Sequence, residues 1–450
     1  MKSEGAKKAL VNVCRVVLAL TFIFSGFVKA IDPLGTQYKL NDYLGALHLG
    51  AYVPQLLTLV ASVLLAALEF GIGIFLLFAI HRRTTSKVAL LLMVLMTAVT
   101  LWLAVANPIS DCGCFGDALV LTNWQTFGKN VVLLACAAVI CRWPLLMPRL
   151  ISLTNQWIVI NFTFVFILIS SIWCLYDLPL FDFRPYHVGA NIKEGMEIPE
   201  GAKQPKFETT FILEKDGERR EFTLDDYPDS TWTFIDSKSV QTEAGYVPPI
   251  HDFNIVRTED GEDITEEVLS REGYTFLLVS PHLEQASDRN FGSIDQLYEY
   301  CQEQGYPFYC LTASNEEAIQ HWRDITGAEY PFCQTDETTL KTIIRSNPGL
   351  LLLKQGTIIR KWSHNNLPQI EAERPLEQLS IGQLPENSVP GKILKIVLWF
   401  VLPLFVLTVA DRLLAWTRWL RRKPRHQEKE NITLTHHKKE EENEKENCSR

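Results

Sequence analysis

SDCGCFGD, residues 110–117, sets two cysteines one glycine apart, with an aspartate on each side and a long apolar run before and after. Reading outward from this stretch decides the fold class. Apolar windows of about 20 residues, enough to cross a hydrocarbon layer of about 30 Å, fall at roughly 9–30, 54–80, 88–106, 127–147, 157–175 and 393–410. They predict six transmembrane helices. The totals hide this, since 450 residues, 47% hydrophobic content and a net charge of −9 would also suit a soluble multidomain protein. The first run follows Lys7 and Lys8 like a signal peptide, but VKAIDPLGTQYKL after it offers no convincing small-x-small cleavage site, so the helix is expected to stay.

Basic residues then set orientation, because short basic flanks remain cytoplasmic. Lys2, Lys7 and Lys8 precede the first helix, Arg82, Arg83 and Lys87 join the second and third, Arg142 and Arg149 lie between the fourth and fifth, and RRKPR (421–425) follows the sixth. Every second connection is basic. Both termini are therefore expected in the cytoplasm, with 31–53, 107–126 and 176–392 facing outward. That side is usually oxidising and permits a disulfide.

Residues two apart can close a disulfide on a turned chain, and Gly113 allows the turn. Three readings of Cys112 and Cys114 stay open: a redox pair, a static clip and a metal ligand pair. Metal is the weakest, since a closed tetrahedral site needs two more ligands and His48 is a single candidate. Asp111 and Asp117 would raise the thiol pKa unless a cation or helix N-terminus offsets them. Glu69 lies well inside the second helix, where an ionised carboxylate is expensive and usually paired. Arg15 and Lys29 are its candidate partners, in a structural ion pair or, alternatively, a proton route or polar cofactor contact. Lys29, Asp32, Lys39 and Asp42 cluster in the first outer segment, where a lysine could favour a thiolate.

FIFSGFVKAIDPLGTQYKLNDYL (22–44), ALEFGIGIFLLF (67–78) and NPISDCGCFGDALVLTNWQTFGKNVVLL (107–134) resemble the DoxX/MauE group of membrane proteins over about residues 8–147. The resemblance implies a four-helix core with a CxCFG-type loop. It also implies redox use of Cys112 and Cys114, since MauE-like proteins are associated with disulfide handling during methylamine dehydrogenase maturation. The core is also similar to the vitamin K epoxide reductase fold, whose membrane cysteines exchange electrons with quinone. That family's cysteine spacing is absent, so a membrane quinone is a cofactor by analogy alone. Trp102 and Trp124 flank the CGC stretch as candidates for an apolar wall against such a ring, or as ordinary interfacial residues.

The long outer segment opens with a Pro- and Gly-rich lead-in, 176–205, followed by alternation in FETTFILEKDGERREFTL (207–224) with Asp216-Gly217 as a hairpin turn, and a further strand in 230–240. From about 250, strands and helices alternate: YTFLLVS (274–280), SIDQLYEYCQEQG (293–305), PFYCLTAS (307–314), NEEAIQHWRDITG (315–327) and GLLLLKQGTIIRKW (349–362). This predicts a small α/β sheet. The order resembles a thioredoxin-like domain of the TlpA or peroxiredoxin kind. That resemblance makes Pro348 the cis-proline candidate and gives Gly356 the following turn. The usual dithiol is missing, because YTFLLVS continues as PHLEQASDRNFG. Cys301, Cys310 and Cys333 remain as inert core thiols, a disulfide pair with one left over, or metal ligands. His282 occupies the displaced active-site region. Cys14, Cys136 and Cys141 read as packing residues, whereas Cys174 lies at a depth compatible with an outer-face encounter.

The expected organisation is a DoxX/MauE-like four-helix membrane domain (1–150), a fifth transmembrane helix (151–176), a β-rich extension (177–249), a degenerate thioredoxin-like domain (250–390), a sixth helix (391–420) and a disordered cytoplasmic tail (421–450). The fold class is thus a multi-pass α-helical inner-membrane protein with a periplasmic α/β thioredoxin-like domain. The expected function is thiol-disulfide exchange at catalytic Cys112 and Cys114, between a quinone and an extracytoplasmic dithiol partner. The alternatives are a non-catalytic scaffold or maturation factor with a thioredoxin-like binding module, or a small-solute transporter. Partners are the lipid bilayer, a dithiol or maturation-client protein and a second copy in a homodimer; no metal and no nucleic acid are expected. Asn431 and Asn447 open formal sequons on the cytoplasmic side, and Cys448 reads as incidental.

Overall fold

The computed structural model describes residues 2–109, 111–199, 201–202, 206–215, 218–223, 233–243, 245–370, 374–385 and 390–417, with backbone alone over 206–243. The expected turn at Asp216-Gly217 and the tail, with Asn431, Asn447 and Cys448, lie outside the described residues. The chain divides into two units, Met1–Phe181 with Glu386–Arg450, and Asp182–Pro385.

The first unit is helical. Six helices are long and apolar enough to cross a membrane: Glu4–Ile31, Gln55–Phe78, Arg82–Ala106, Asn123–Arg142, Leu153–Tyr176 and Pro390–Thr417. The first belongs to α1 (Lys2–Ile31), the next three are α3, α4 and α5, and the fifth contains α6 (Gln156–Tyr176). The fourth sits earlier than its expected 127–147. Thr122 and Gln125 form a capping box that starts α5 at Asn123, and Pro144, which has no N–H and restricts the residue before it, ends the helix at Arg142. An additional helix, α2 (Pro33–Ala46), occupies most of the first connection. Asp32 caps it by accepting from the Gly35 N–H at 2.9 Å, and Pro33 supplies a preset first turn.

Helices α1 and α3 pack backbone to backbone. A Cβ on Gly26 would come within 2.3 Å of the Phe70 nitrogen, and one on Gly73 within 2.7 Å of the Ile23 nitrogen. Such close approach is how small residues pack helices where lipid removes the hydrophobic incentive to associate. The Pro390–Thr417 helix is held by Asp411, whose carboxylate accepts from the Ser152 N–H (2.8 Å), the Ser152 hydroxyl (2.6 Å) and Asn155 Nδ2 (2.7 Å).

The second unit begins with α7 (Ile192–Met196) and a three-stranded antiparallel sheet, β1 (Lys206–Lys215), β2 (Glu218–Thr223) and β3 (Thr233–Glu243), in the order β2-β1-β3. Then come β4 (Val256–Arg257), α8 (Thr265–Ser270), β5 (Tyr274–Ser280), α9 (Phe291–Gln304), β6 (Phe308–Thr312), α10 (Glu316–Thr326), β7 (Phe332–Gln334), α11 (Glu337–Ile343), β8 (Gly349–Lys354) and β9 (Thr357–Ser363). The six-stranded sheet runs β4-β7-β6-β5-β8-β9, with β5, β6 and β7 parallel and β4, β8 and β9 antiparallel to their neighbours. Every residue of β5 is buried, as a central strand covered on both faces requires. The Asn347–Pro348 bond is cis, and Gln355 and Gly356 turn β8 into β9 with φ of 50° and 72°. The short strands β4 and β7 and the helix α11 were not anticipated, because runs of two, three and seven residues carry too little periodicity.

The lead-in is not loose. Gly189 and Ile192 donate their N–H groups to the carbonyls of Ile358 and Gly356, and Arg184 donates to the Thr342 carbonyl at 2.9 Å. Asp182 pairs with Arg184 at 2.8 Å and with Lys361 at 2.9 Å, and both cations are buried. Burial raises the Asp182 carboxyl pKa, but the two cations more than offset this and hold it at about 2. The unfolded value is about 3.9. The stability this contributes is therefore fully present above about pH 4 and is lost as pH falls through about 2. Asp182→Asn leaves two buried cations without their counter-charge and should cost about 3 kcal/mol or more. Denaturant unfolding of this unit at pH 7 checks it, and the variant should lose the acid dependence between pH 4 and 2.

Candidate functional site

The CGC loop is built by local turns. The Asp111 side chain accepts from the Gly113 N–H at 2.9 Å, and the Gly116 N–H returns to the Gly113 carbonyl at 3.1 Å. Gly113 lies at φ 64°, a left-handed conformation that favours glycine, and a Cβ there would stand 3.0 Å from Lys39 Cγ, which would have to give by a few tenths of an ångström. Asn123 Nδ2 ties the start of α5 back to Asn107 Oδ1 (2.9 Å) and the Ile109 carbonyl (2.8 Å). Phe115 is buried against Phe24, ring centroids 5.4 Å apart, with Lys129 Nζ 4.0 Å from its ring centroid.

These turns bring the sulfurs of Cys112 and Cys114 to 2.8 Å. Cys112 is 8% exposed, and Cys114, half-buried as a residue, has its thiol deep in the loop as well. The hydrogen bond between the two sulfurs lowers the Cys112 pKa most. Burial opposes it, while the Tyr43 hydroxyl and the charges of Lys129 and Lys29 add to it, bringing Cys112 to about 6. Cys114 is driven well up by the same hydrogen bond and by burial. Tyr43 Oη also donates to the Cys112 carbonyl at 2.7 Å. Burial and the adjacent sulfur charge raise its own pKa, so it stays a hydrogen-bond donor.

Beneath the loop lies a buried ion pair. Lys29 Nζ stands 2.7 Å from Glu69 Oε2, with side chains 5% and 4% exposed. Its other hydrogens reach Ser25 Oγ (2.7 Å) and the Cys114 carbonyl (2.8 Å). Ser25 Oγ is 2.7 Å from Glu69 Oε2 and 2.6 Å from the Cys114 carbonyl, donating to one of the two at a time. Of the two expected partners for Glu69, the structure selects Lys29. Arg15 instead donates to the Pro148 carbonyl at 2.9 Å.

Lys39 pairs with Asp111 at 2.7 Å, which ties α2 to the loop and balances the aspartate expected to raise the thiols. Asp32 acts as the cap of α2. Trp124 is exposed and packs on Phe127 rather than on the cysteines. Among the described residues, no group of three or more His, Cys, Asp or Glu is placed to hold a metal. Sequence reading named Lys29, Lys39 and the two cysteines but not Tyr43 or Ser25, whose roles rest on contacts 69 and 89 residues away along the chain.

In the second unit Cys301, Cys310 and Cys333 are all buried and unpaired. Burial raises all three thiol pKa values, Cys333 to about 12. The disulfide alternative for these thiols is therefore not what the structure shows. The loop after β5 places His282 Nε2 3.0 Å from a Glu337 oxygen, and Asn347 Nδ2 donates to the His282 carbonyl at 2.8 Å. Cys174 is buried at the end of α6, in a cluster with Ile31 and Phe181.

Residues 7–143 match the family model of Methylamine utilisation protein MauE, and residues 207–244 match Domain of unknown function (DUF8463). The N-terminal membrane region is thus MauE-like. No curated protein matches the chain. Similar solved structures include a candidate protein disulfide isomerase from Bacteroides thetaiotaomicron, 17% identical, covering 26% of this chain and 77% of that one at a TM-score of 0.22. An uncharacterized conserved protein from Geobacillus kaustophilus is 13% identical, covering 30% of this chain and 83% of that one at 0.24. Likenesses at these scores carry no argument about what this chain does.

Two outcomes are expected of the site. Lys29→Met leaves Glu69 buried without its counter-charge, which should cost about 3–5 kcal/mol; thermal unfolding in detergent measures it. The reduced pair should show an iodoacetamide reaction rate that rises with pH and is half-maximal near pH 6, because the thiolate is the nucleophile. Lys129→Gln should move that midpoint upward.

Proposed function

We propose that this chain is a membrane-bound thiol-disulfide exchange protein whose working pair is Cys112 and Cys114, and that it oxidises a dithiol partner. One observation carries the reading: two sulfurs 2.8 Å apart, with that of Cys112 held at about 6 by its surroundings. A stabilised thiolate favours the reduced form of a pair and makes its disulfide a stronger oxidant.

The exchange balances without a further reagent. A partner thiolate attacks the Cys114 sulfur of the Cys112–Cys114 disulfide, that bond breaks, and Cys112, the better leaving group, departs as the thiolate its neighbours stabilise. The partner's second thiolate then attacks the partner sulfur of the mixed disulfide. Cys114 departs and takes a proton, the partner leaves as a disulfide, and two electrons have passed to the CGC pair. The remaining proton goes to solvent, because Cys112 stays ionised above its pKa.

An odd number of candidate spans precedes both the CGC loop and residues 182–385, three and five, which supports the reading that both segments face the same compartment. The basic flanks of the alternate connections support the periplasm of an inner-membrane protein as that compartment. In this reading the α/β unit, thioredoxin-like in strand order and in its cis-proline, binds the client and does no thiol chemistry.

A second reading draws on the match of residues 7–143 to the MauE family model together with an α/β unit in which every described thiol is buried and unpaired. The chain would then be a non-catalytic maturation factor with a binding module, in line with the MauE name, and CGC would clip its loop. One experiment separates the two. Purified protein is treated with diamide and then dithiothreitol, and the states of Cys112 and Cys114 are read by differential alkylation and mass spectrometry. The exchange reading expects the pair to cycle. A pair that stays oxidised throughout sinks the exchange reading and leaves the maturation factor.

A further inference from the structure

At the end of the helical unit that carries the N-terminus, a cavity of about 810 Å³ opens among the ends of α1, α4 and α5. Its charged lining is Lys7, Lys8, Arg83 and Arg142 against the single carboxylate of Glu4, and its apolar wall is Trp143, Pro144, Leu145 and Leu146. Among the described residues none of the four cations makes a salt bridge. Lys7 Nζ and the Arg142 guanidinium each stand 5.9 Å from the Trp143 ring centroid, so the indole holds two like charges beside one opening. Arg82, at the same end, spends its guanidinium on the carbonyls of Leu145 (2.9 Å) and Met147 (2.8 Å), which fixes the wall segment in place.

Basic flanks that serve only to orient a membrane protein need no cavity. Here like charges converge on a hollow that has an apolar side, at the depth where spanning helices end. We propose that this cavity binds the headgroup of an anionic phospholipid, with the phosphate among Lys7, Lys8, Arg83 and Arg142 and the glycerol and upper acyl carbons against Trp143, Leu145 and Leu146. Basic pockets between helix ends at one membrane face are suited to such headgroups. The apolar wall is what separates this occupant from a soluble phosphate, which would have no use for it. The site is independent of the thiol chemistry, since it lies at the opposite ends of the spanning helices from the CGC loop.

The test uses the full chain, purified in neutral detergent. Thermal unfolding is followed with added short-chain phosphatidylglycerol, with phosphatidylcholine of the same chain length and with inorganic phosphate at matched ionic strength. Native mass spectrometry counts retained lipid. Phosphatidylglycerol should raise the melting temperature and be retained, and the other two should not. Lys8→Gln with Arg142→Gln should weaken phosphatidylglycerol binding about ten-fold or more, while Lys87→Gln with Arg149→Gln, basic residues of the same end outside the lining, should leave it within about two-fold. If the cavity variant does not survive purification, Trp143→Ala is read in its place, with several-fold weaker lipid retention expected. An equal loss in both double variants would mean general surface charge and would overturn the proposal. Stabilisation by inorganic phosphate equal to that by phosphatidylglycerol would overturn it in favour of a soluble anion.

Discussion

The membrane unit depends on the Lys29–Glu69 pair. Two charges in so apolar a setting are tolerated when each satisfies the other and the remaining hydrogen-bonding capacity is used. Here the ammonium spends its hydrogens on a carboxylate, a hydroxyl and the Cys114 carbonyl. One side chain therefore joins α1 to α3 and both to the CGC loop. The glycines at 26 and 73 let the two helices approach closely at the same packing surface. The pair cannot be replaced by apolar residues without losing the anchor of the loop, whatever such a replacement did for the helices themselves.

That anchor bears on the chemistry. Two aspartates beside a dithiol would ordinarily push its thiols toward the neutral form. Asp111 is instead neutralised by Lys39 and turned to cap the Gly113 N–H, while Tyr43, Lys29 and Lys129 supply donors and positive charge around Cys112. The thiols of the α/β unit show the opposite arrangement. They are wrapped in aromatic and aliphatic side chains, and burial outweighs even the Arg257 charge near Cys333, so their pKa values rise. Ten cysteines in one chain thus include a close pair whose surroundings lower one thiol pKa and several that are buried as small apolar side chains.

Legibility differed along the chain for reasons that can be named. The spans were readable because 20 apolar residues have few alternatives, and the central strands because YTFLLVS is both β-branched or aromatic and bounded by turn residues. Helix α2 was missed since PLGTQYKLNDYLGA is weakly amphipathic and its start depends on Asp32 and Pro33 acting together. The end of α5 was overrun because the apolar tally continues through Trp143 and Leu146 while Pro144 has already stopped the backbone.

By itself the sequence determined the six apolar stretches long enough to span, the alternating α/β segment and the two cysteines of interest, because each follows from local composition or spacing. The partner of Glu69, the environment of Cys112 and the isolation of Cys301, Cys310 and Cys333 were decided only by tertiary structure. Each of these is a contact between residues far apart in the chain, selected by helix packing and sheet order. No local pattern contains that information, since a lysine 40 residues away and an arginine 54 residues away from Glu69 are equally eligible until α1 docks on α3.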